Sequence, residues 1–450
     1  MSFPTITSIA GKRVAVVGLG ISGVAAARLL LRQGARIIAF DQKPLALLGS
    51  HAHTLESLGV PLVTGEDAFE QVKDVDLVLV SPGVPSFSAL TRAEAEGVPI
   101  WGEVELATRF IPDDVPIIAV GGTNGKSTTT TLIGELLATT GKRVFIGGNL
   151  GTPVSDHVDG TFDFLVLEVS SFQMERVDQF HPTSALLLNV TPDHLDRYAS
   201  FQAYANAKGN AFLRQGPHDE AIVPAHDPTC AEQAARGRGR RVTFGAGADV
   251  DVTDRAVIDR RNGESYDRQL WCLQGTHNAL NVAAAIACVS KFGVAPGAIR
   301  ERLAAFQGLP HRTTFVRELD GVRYYDDSKG TNVGAAVTAV RGMREERIVL
   351  IAGGREKGGS YQPLVDALVS RGRGAVLVGE AAEAIEHAID GAVPTARATS
   401  MREAVLAARR LAVNGDAVLL SPACSSFDMF RDYKERGDAF VEAVLRLEGQ

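Results

Sequence analysis

The stretch from Ile118 to Thr129, Ile-Ala-Val-Gly-Gly-Thr-Asn-Gly-Lys-Ser-Thr-Thr, joins an apolar run to a Gly-rich turn. The apolar run predicts a buried strand, and the sequence after Ser127 predicts a helix. Glycines at such a junction let successive backbone N–H groups converge on an anion, while Lys126 reaches the outer phosphates and the Ser127 hydroxyl holds magnesium. We therefore expect a phosphate loop for Mg-ATP or Mg-GTP. Its residues are Gly122, Thr123, Asn124, Gly125, Lys126, Ser127 and Thr128.

The composition of the 450-residue chain is that of a globular protein with several cores, since 45% of its residues are hydrophobic and 22% are charged. The net charge of -7 argues against broad binding to nucleic acid or to an anionic membrane, because both need clustered Lys and Arg. No apolar run is long enough to span a bilayer, and the N-terminal residues show no leader pattern. The four cysteines form no Cys-x-x-Cys pair, so we expect neither disulfides nor a structural metal, and a cytoplasmic location.

The first segment predicts a second nucleotide site. A strand from Arg13 to Val17 leads into Gly18-Leu19-Gly20-Ile21-Ser22-Gly23, then a helix and another strand that ends at Asp41. This βαβ pattern lets a diphosphate approach a helix N-terminus, and Asp41 stands where an acid accepts a ribose hydroxyl. NAD and a UDP-sugar both present a ribose and a diphosphate, so the motif leaves both ligands open. A strand near Val75 to Val80 places the loop around Gly83 at the same sheet edge.

Two interruptions divide the chain. Prolines and aspartates make residues 104–115 a predicted linker, and Gly308-Leu309-Pro310 marks a second break. Strands alternate with helices between and beyond these breaks, which predicts mostly parallel sheets. We therefore predict an α/β protein with an N-terminal Rossmann-like domain (residues 1–103), a central P-loop ATPase domain (104–308) and a C-terminal Rossmann-like, doubly wound domain (309–450). The polar stretch 245–268 is expected to add antiparallel edge strands.

Polar residues follow several predicted strands of the central segment. Glu168 ends a buried strand, at the position where phosphate-binding sheets commonly have an acid that binds magnesium. An acid that only caps a helix or stabilises a turn would fit this position equally well. His194 lies between two aspartates and predicts a second metal neighbour, with a helix cap at Asp193 and a solvated His194 as the alternative. Lys208 lies in a predicted helix, where composition alone predicts a solvated lysine.

Four further residues are candidates for ligand contacts. Asn278 and Asn281 share one face of an Ala-rich helix, which suits either the reading of a base edge or plain capping. Arg312, at the second break, has the charge to neutralise a transferred phosphate, and Lys357 has the charge to pair with a substrate carboxylate. Because surface loops carry basic residues routinely, neither is specific alone.

Taken together, these motifs resemble the Mur ligases, bacterial enzymes that extend the cell-wall peptide by one amino acid at a time. The resemblance covers nearly the whole chain. It rests on the phosphate loop, an acid followed by Ser-Ser-Phe-Gln, an Asn-Val-Thr-Pro-Asp-His-Leu-Asp stretch and a Gly-Thr-His-Asn-Ala-Leu-Asn stretch, at Gly122–Ser127, Glu168–Gln173, Asn189–Asp196 and Gly275–Asn281. Three more stretches, 308–312, 327–332 and 421–428, are similar to the branch that adds D-glutamate. The chain departs from the family pattern at Gly121, Thr314 and Tyr433, where threonine, glutamate and phenylalanine are common.

The resemblance implies that a cytoplasmic monomer ligates D-glutamate to UDP-N-acetylmuramoyl-L-alanine, with ATP, an acyl phosphate and two magnesium ions. Lys208 takes the position of the family's carbamylated lysine, an anionic ligand for the second magnesium. The implied catalytic residues are Lys126, His194, Lys208 and Arg312. The implied metal ligands are Ser127, Glu168, His194 and carbamylated Lys208. The implied ATP contacts are the phosphate loop, Asn278, Asn281 and Asp327. The implied UDP-sugar contacts are Gly20, Ile21, Ser22, Asp41, Gln42, Lys43, Gly83, Asn149 and Ser171. The implied D-glutamate contacts are Lys329, Thr331, Lys357, Ser426 and Tyr433.

Three other functions remain open from the sequence. One is another amide ligase of the same superfamily, either folylpolyglutamate synthase or a sister enzyme that adds L-alanine, a diamino acid or a dipeptide. The UDP-type first segment disfavours the folate enzyme. A nicotinamide oxidoreductase would use Gly18 to Gly23 but would leave the phosphate loop and Glu168 unexplained. A P-loop switch that binds partners would need a guanine-reading Asn-Lys-x-Asp motif, and the sequence has none.

Overall fold

The computed structural model describes residues 8–449 except 272, 274, 357 and 359. Within these residues the chain forms three α/β domains, each built on its own sheet. The predicted α/β class is confirmed. None of the helices in the described part of the chain combines the length and the apolar character that crossing a bilayer requires.

The first domain is built on a wholly parallel sheet with the strand order β3-β2-β1-β4-β5. Its strands are β1 (Arg13–Val17), β2 (Arg36–Asp41), β3 (Leu62–Thr64), β4 (Leu77–Val80) and β5 (Ile100–Trp101). Its helices are α1 (Ile21–Arg32), α2 (Leu45–Leu48), α3 (Ser50–Ser57) and α4 (Ser88–Ala95), and α5 (Glu103–Thr108) follows. β1 and β4 are continuous apolar runs because helices cover both faces of a parallel sheet. A Cβ on Gly23 would lie 1.9 Å from the Gly18 carbonyl oxygen, so α1 approaches the loop after β1 as only glycine permits.

The central domain has the strand order β14-β13-β12-β11-β10-β9-β6-β8-β7. Its strands are β6 (Ile117–Gly121), β7 (Val144–Gly148), β8 (Phe164–Glu168), β9 (Ser184–Leu187), β10 (Glu220–Pro224), β11 (Arg240–Gly245), β12 (Val250–Val252), β13 (Ala256–Asp259) and β14 (Glu264–Asp267). Its helices are α6 (Lys126–Ala138), α7 (Ser171–Met174), α8 (Phe201–Gly209), α9 (Pro228–Ala234), α10 (Thr276–Val289) and α11 (Pro296–Ala305). The pairings of β13 with β12 and β14 are antiparallel and the others are parallel, which confirms the predicted edge strands.

The third domain has the strand order β15-β16-β20-β17-β18-β19, with β15 antiparallel to β16 and the remaining pairs parallel. Its strands are β15 (Thr314–Leu319), β16 (Val322–Asp326), β17 (Ile348–Gly353), β18 (Gly372–Val378), β19 (Thr395–Arg397) and β20 (Ala417–Leu420). Its helices are α12 (Val333–Gly342), α13 (Gln362–Arg371), α14 (Ala382–Ile389), α15 (Met401–Leu411) and α16 (Tyr433–Leu445).

Alternate residues of β17 face two separate cores in the third domain. Leu350 and Ala352 pack with α12, α13 and α14, whereas Val349 and Ile351 pack with α15 and α16. Helices therefore cover both faces of this sheet, as predicted for a doubly wound domain.

The predicted linker over residues 104–115 is wrong at its start, because α5 occupies Glu103–Thr108 and buries two carboxylates. Glu105 accepts hydrogen bonds of 2.8 to 3.0 Å from three consecutive backbone N–H groups, those of residues 178–180, and one of 2.6 Å from Arg109. Glu103 accepts a bond of 2.7 Å from the backbone of Ser155. The backbone donors belong to the central domain and lie 52 to 75 positions away, so the local sequence does not reveal the helix. Glu103, at the end of the first domain, is thereby bound to the central domain, and α5 is held against residues 178–180.

Candidate active site

The phosphate loop connects β6 to α6 at the carboxyl edge of the central sheet. Gly122 and Gly125 have φ angles of 140° and 87°, which favour glycine. A Cβ on Gly125 would lie 2.3 Å from Oδ1 of Asn281, so the loop packs directly on α10. This contact places the Asn281 side chain beside the phosphate loop.

Two lysines share one acceptor in this loop. Lys126 Nζ donates to the carbonyl oxygens of Gly122 and Thr123 at 3.0 and 2.9 Å, and Lys208 Nζ donates to that of Gly122 at 2.8 Å. Lys208 is only 5% exposed, so the alternative of a solvated helix lysine is wrong. Burial, and then the charge of Lys126, hold the pKa of Lys208 well below its ordinary value. A neutral amine is the form of lysine that reacts with carbon dioxide.

Glu168 ends β8 beside the loop and offers an unused oxygen. Its Oε1 accepts a bond of 2.6 Å from Asn149 Nδ2, whereas its buried Oε2 has no hydrogen-bond partner within the described residues. Burial alone would raise the pKa of this carboxyl, but the positive charge of Lys126 and hydrogen bonding to the ionised form bring it below its ordinary value. Glu168 is therefore an ionised carboxylate with a free lone pair, which suits a divalent cation.

The segment after β9 places His194 at the same edge. His194 has a φ of 56°, and its backbone N–H donates to Asp193 Oδ1 at 2.9 Å. Asp193 caps no helix, because α8 begins later and is capped by Ser200. The His194 ring packs against the ring of Phe172, with centroids 4.9 Å apart. The alternative of a capping Asp193 is therefore wrong, and the His194 side chain, 30% exposed, is partly buried rather than fully solvated.

The third domain contributes basic groups to the same region. Arg312 Nη2 donates a bond of 3.0 Å to the hydroxyl of Ser127, and the ammonium of Lys329 lies 3.8 Å from the ring centre of Tyr433. Burial, and then the charge of Arg312, lower the pKa of Lys329 to about 8. Asp327 accepts bonds from Ser421 Oγ at 2.6 Å and from a backbone N–H at 3.1 Å, and burial raises its pKa to about 6.

A cavity of about 770 Å³ lies between the central and third domains and collects most of the predicted residues. The predicted residues that line it are Thr123, Asn124, Gly125, Lys126, Ser127, Thr128, Asn149, Glu168, Ser171, His194, Lys208, Asn278, Asn281, Arg312, Asp327, Lys329 and Thr331. Tyr433 lies beside Lys329, and Ser426 is buried and is not among the residues that line the cavity. Lys357 lies outside the described residues.

The remaining predicted UDP-sugar residues do not line this cavity. They lie at the carboxyl ends of β1, β2 and β4, and they are Gly20, Ile21, Ser22, Asp41, Gln42, Lys43 and Gly83. The Asp41 carboxylate accepts the backbone N–H of Leu19 at 2.7 Å and that of Lys43 at 2.8 Å, so it holds the glycine loop in place. Arg197 of the central domain donates to the Val84 carbonyl at 3.1 Å and connects this edge to the cavity region.

Three family models match successive parts of the chain. The model for a Mur ligase MurD-like N-terminal domain matches residues 12–102, that for the Mur ligase middle domain 120–289, and that for the Mur ligase glutamate ligase domain 311–424. A UDP-N-acetylmuramoylalanine--D-glutamate ligase from Geotalea daltonii is 42% identical over 450 residues, which cover 98% of this chain and 99% of that protein. The ligase of the same name from Myxococcus xanthus is 42% identical, with 98% and 99% covered.

The chain belongs to the Mur ligase family.

Solved structures share the fold of this Mur ligase at lower identity. The UDP-N-acetylmuramate-alanine ligase of Thermotoga maritima superposes with a TM-score of 0.60 at 20% identity, over 96% of this chain and 99% of that one. A pseudomurein peptide ligase type C from Methanothermus fervidus superposes with a TM-score of 0.62 at 17% identity, over 97% and 100%. Both cover nearly the full length, so the three-domain architecture is that of the Mur ligase fold.

Two residues that line this Mur ligase cavity were not predicted from the sequence. Tyr204 hydroxyl lies 3.1 Å from Thr123 Oγ1, and Asn332 contacts both Asn124 and Asp193. Asn332 is the last residue of the 327–332 motif, and its place in that motif was the sequence feature that could have identified it. Tyr204 gave no signal, because one aromatic residue in an Ala-rich helix is ordinarily a core residue.

Proposed function

We propose that this Mur ligase joins D-glutamate to UDP-N-acetylmuramoyl-L-alanine, with ATP as the activating substrate. The observation that carries the proposal is the junction itself, where Lys126, Glu168 and Arg312 come from separate elements and meet around one cavity. The names of full-length relatives at 42% identity support the choice of substrates.

In the proposed reaction, the alanyl carboxylate attacks the γ-phosphorus of ATP, and ADP leaves with the electrons of the broken P–O bond. Lys126 and Arg312 are placed to balance the charge that develops on the transferred phosphoryl group. The D-glutamate amine then attacks the carbonyl carbon of the acyl phosphate, phosphate leaves, and the amine loses a proton to His194 or to water. Closure of the cavity excludes water, which would otherwise hydrolyse the acyl phosphate.

The donor set around the cavity fits magnesium held together with phosphate oxygens. Among the described residues, no group of three or more His, Cys, Asp or Glu side chains forms a ready-made metal site. Magnesium commonly uses one or two carboxylates, substrate phosphates and water, and the buried, unpartnered Oε2 of Glu168 supplies such a ligand. We propose Ser127, Glu168, His194 and carbamylated Lys208 as the residues that hold two magnesium ions. Bound magnesium supplies positive charge to the phosphates.

The substrates divide between the domains. We assign the uridine diphosphate to the edge of the first sheet and the muramoyl-alanine to Asn149 and Ser171. D-Glutamate is assigned to the third domain, at Lys329, Thr331, Lys357, Ser426 and Tyr433. ATP is assigned to the phosphate loop with Asn278, Asn281 and Asp327.

We also propose that the enzyme acts as a monomer in the cytoplasm, with domain boundaries near residues 103–104 and 308–309. Cys230 and Cys288 are buried thiols that form no disulfide within the described residues, which suits a reducing compartment.

The deciding experiment is phosphate release from Mg-ATP with UDP-N-acetylmuramoyl-L-alanine, compared between D-glutamate, L-glutamate, meso-diaminopimelate and no amino acid. Release only with D-glutamate, with a product heavier by one glutamyl residue, is the expected result. Release with another amino acid would retain a ligase and change its substrate. NADH oxidation, or hydrolysis independent of any second substrate, would instead favour the oxidoreductase or the switch.

Lys126→Ala tests the phosphate loop in the same assay. We expect the ligation rate to fall at least about 100-fold, because a charge directed at the phosphoryl group is lost from a water-excluded site. Lys142→Ala, which changes an exposed lysine near the far end of α6, is the matched control. Ligation by Lys126→Ala at the control rate would refute the assignment.

A further inference from the structure

The side chain of Asn332 joins the third domain to the central domain. Asn332 is the N-cap of α12, and its Oδ1 accepts the N–H of Ala335 at 2.8 Å. Its Nδ2 donates to Asn124 Oδ1 and to Asp193 Oδ2, each at 3.2 Å. One amide therefore caps a helix of the third domain and holds two residues of the central domain.

Both partners are themselves fixed in place. The N–H of Asn124 donates to Asn189 Oδ1 at 2.9 Å, and Asn189 Nδ2 returns a bond of 3.0 Å to the Asn124 carbonyl. The other oxygen of Asp193 accepts the backbone N–H of His194. The Asp193 side chain is only 8% exposed, so its bond from Asn332 is shielded from water and involves a charged acceptor, which makes it strong. Asn332 therefore docks the third domain onto two groups that the central domain already holds in place.

We propose that Asn332 is a positioning residue that docks the amino-acid-binding domain against the phosphate loop for the amide-forming step. The proposal rests on the function proposed above. Thr331, the preceding residue, lines the cavity on the side assigned to D-glutamate, whereas the ATP contacts come mainly from the central domain. Arg312 keeps its own bond to Ser127. Loss of the Asn332 bridge therefore leaves ATP binding and acyl-phosphate formation in place and misplaces the incoming amine.

Misplacement of the amine has a defined chemical outcome. Water attacks the carbonyl carbon of the acyl phosphate in place of the amine, and phosphate leaves with the electrons of the broken C–O bond. The starting carboxylate is regenerated after water gives up its proton, and no amide forms. Each such event consumes one ATP, so phosphate is released in excess over the ligated product.

Asn332→Asp isolates the bridge from the helix cap. Aspartate caps helices as well as asparagine does, so α12 is retained. It offers no donor, and its carboxylate faces the carboxylate of Asp193. We expect the amide-forming rate to fall about 10- to 100-fold, the KM for ATP to stay close to that of the original enzyme, and the ratio of phosphate to amide to rise above one.

A reciprocal exchange makes the test specific. In Asp193→Asn with Asn332→Asp, the new amide donates to the new carboxylate, which restores the pair with reversed polarity. We expect this double variant to recover most of the amide-forming rate and a ratio near one. Ser400→Asn, which changes the N-cap of α15 without facing the central domain, is the matched control and should behave as the original enzyme.

The outcomes separate the two proposals. If the original enzyme forms no amide with D-glutamate, the proposed function fails and this inference fails with it. If it does, an Asn332→Asp variant with unchanged rate and ratio overturns the inference. An equal loss in the single and double variants also overturns it, because the bridge to Asp193 would then not be the cause. A lowered thermal midpoint of Asn332→Asp, with an unchanged ratio, would leave a structural role only.

Discussion

The guanidinium of Arg312 donates a hydrogen bond of 3.0 Å to the hydroxyl of Ser127, across the junction between the third domain and the phosphate loop. Arg312, a residue of the third domain, therefore contacts the Ser127 hydroxyl that is proposed to bind magnesium. The loop receives this contact only when the two domains meet, which ties the proposed ATP chemistry to the presence of the third domain.

Arg312→Lys tests this junction. Lysine keeps the charge but presents a compact ammonium in place of the planar fork, so it does not reproduce the reach and geometry of the guanidinium. We expect kcat to fall about 10- to 100-fold with a smaller change in the KM for ATP. Steady-state kinetics of phosphate release measures both. Arg323→Lys, at an exposed ion pair with Glu318 on β15, is the control; equal effects of the two substitutions would contradict the prediction.

Lys329 predicts a pH dependence of D-glutamate binding. Its pKa is lowered to about 8, so the ammonium that would bind a substrate carboxylate is lost as the pH rises through 8. The KM for D-glutamate should rise roughly tenfold for each pH unit above this value. The arginine of Lys329→Arg stays charged throughout this range, so the rise in the KM for D-glutamate at high pH should disappear. Identical profiles for the two enzymes between about pH 7 and 9.5 would show that Lys329 does not carry the dependence.

Asp327 predicts a pH dependence of stability. Its pKa is raised to about 6 by burial, so its contribution to stability is fully present below the ordinary pKa near 3.8 and is lost as the pH rises through 6. The free energy of unfolding of Asp327→Asn, relative to the original protein, should rise by about 3 kcal/mol across this window and then level off. Denaturant unfolding at several pH values measures it, with the exposed Asp366→Asn as control. A pH-independent difference would be inconsistent with a buried, titrating Asp327.

Lys208 predicts a reaction with carbon dioxide. Burial and the charge of Lys126 hold its pKa well below the ordinary value, which favours the neutral, nucleophilic form of the amine. After equilibration with isotope-labelled bicarbonate, magnetic resonance should detect one labelled carbamate, absent from Lys208→Met. Activity should fall in buffer freed of carbon dioxide and return when bicarbonate is added. A labelled signal of equal size in both proteins would place the modification elsewhere.

Most of the fold could be predicted from the sequence because the patterns that indicate strands, helices and turns involve residues close together in the chain. Apolar runs such as Val14–Val17 and Ile117–Gly121 are buried on both faces, and glycines mark the turn after each. The resemblance added the role proposed for Lys208, which composition alone predicted to be a solvated helix lysine, and the role proposed for Asp327. These roles stay predictions, but the structure does bring both residues to the cavity.

What escaped the sequence depends on partners that are distant along the chain. Residues 104–115 looked like a linker because prolines and acids usually mark one, yet Glu103 and Glu105 are buried where backbone donors from residues 155 and 178–180 meet them. Asn332 looked like the end of a motif, and its bridge to Asn124 spans 208 positions. Neither partner is visible in a local pattern.

The binding of Glu105 to residues 178–180 has a consequence for exchanging parts between relatives. A chimera with its crossover between α5 and residue 178 would bring a foreign residue 105 to the three N–H groups of residues 178–180, or would leave the Glu105 carboxylate buried with no donors. Either mismatch costs on the order of several kcal/mol, comparable to the whole stability of a domain. α5 and the rest of the central domain therefore need to come from the same parent, and a crossover after the central domain, near Gly308, is more favourable than one just after α5 in the predicted linker.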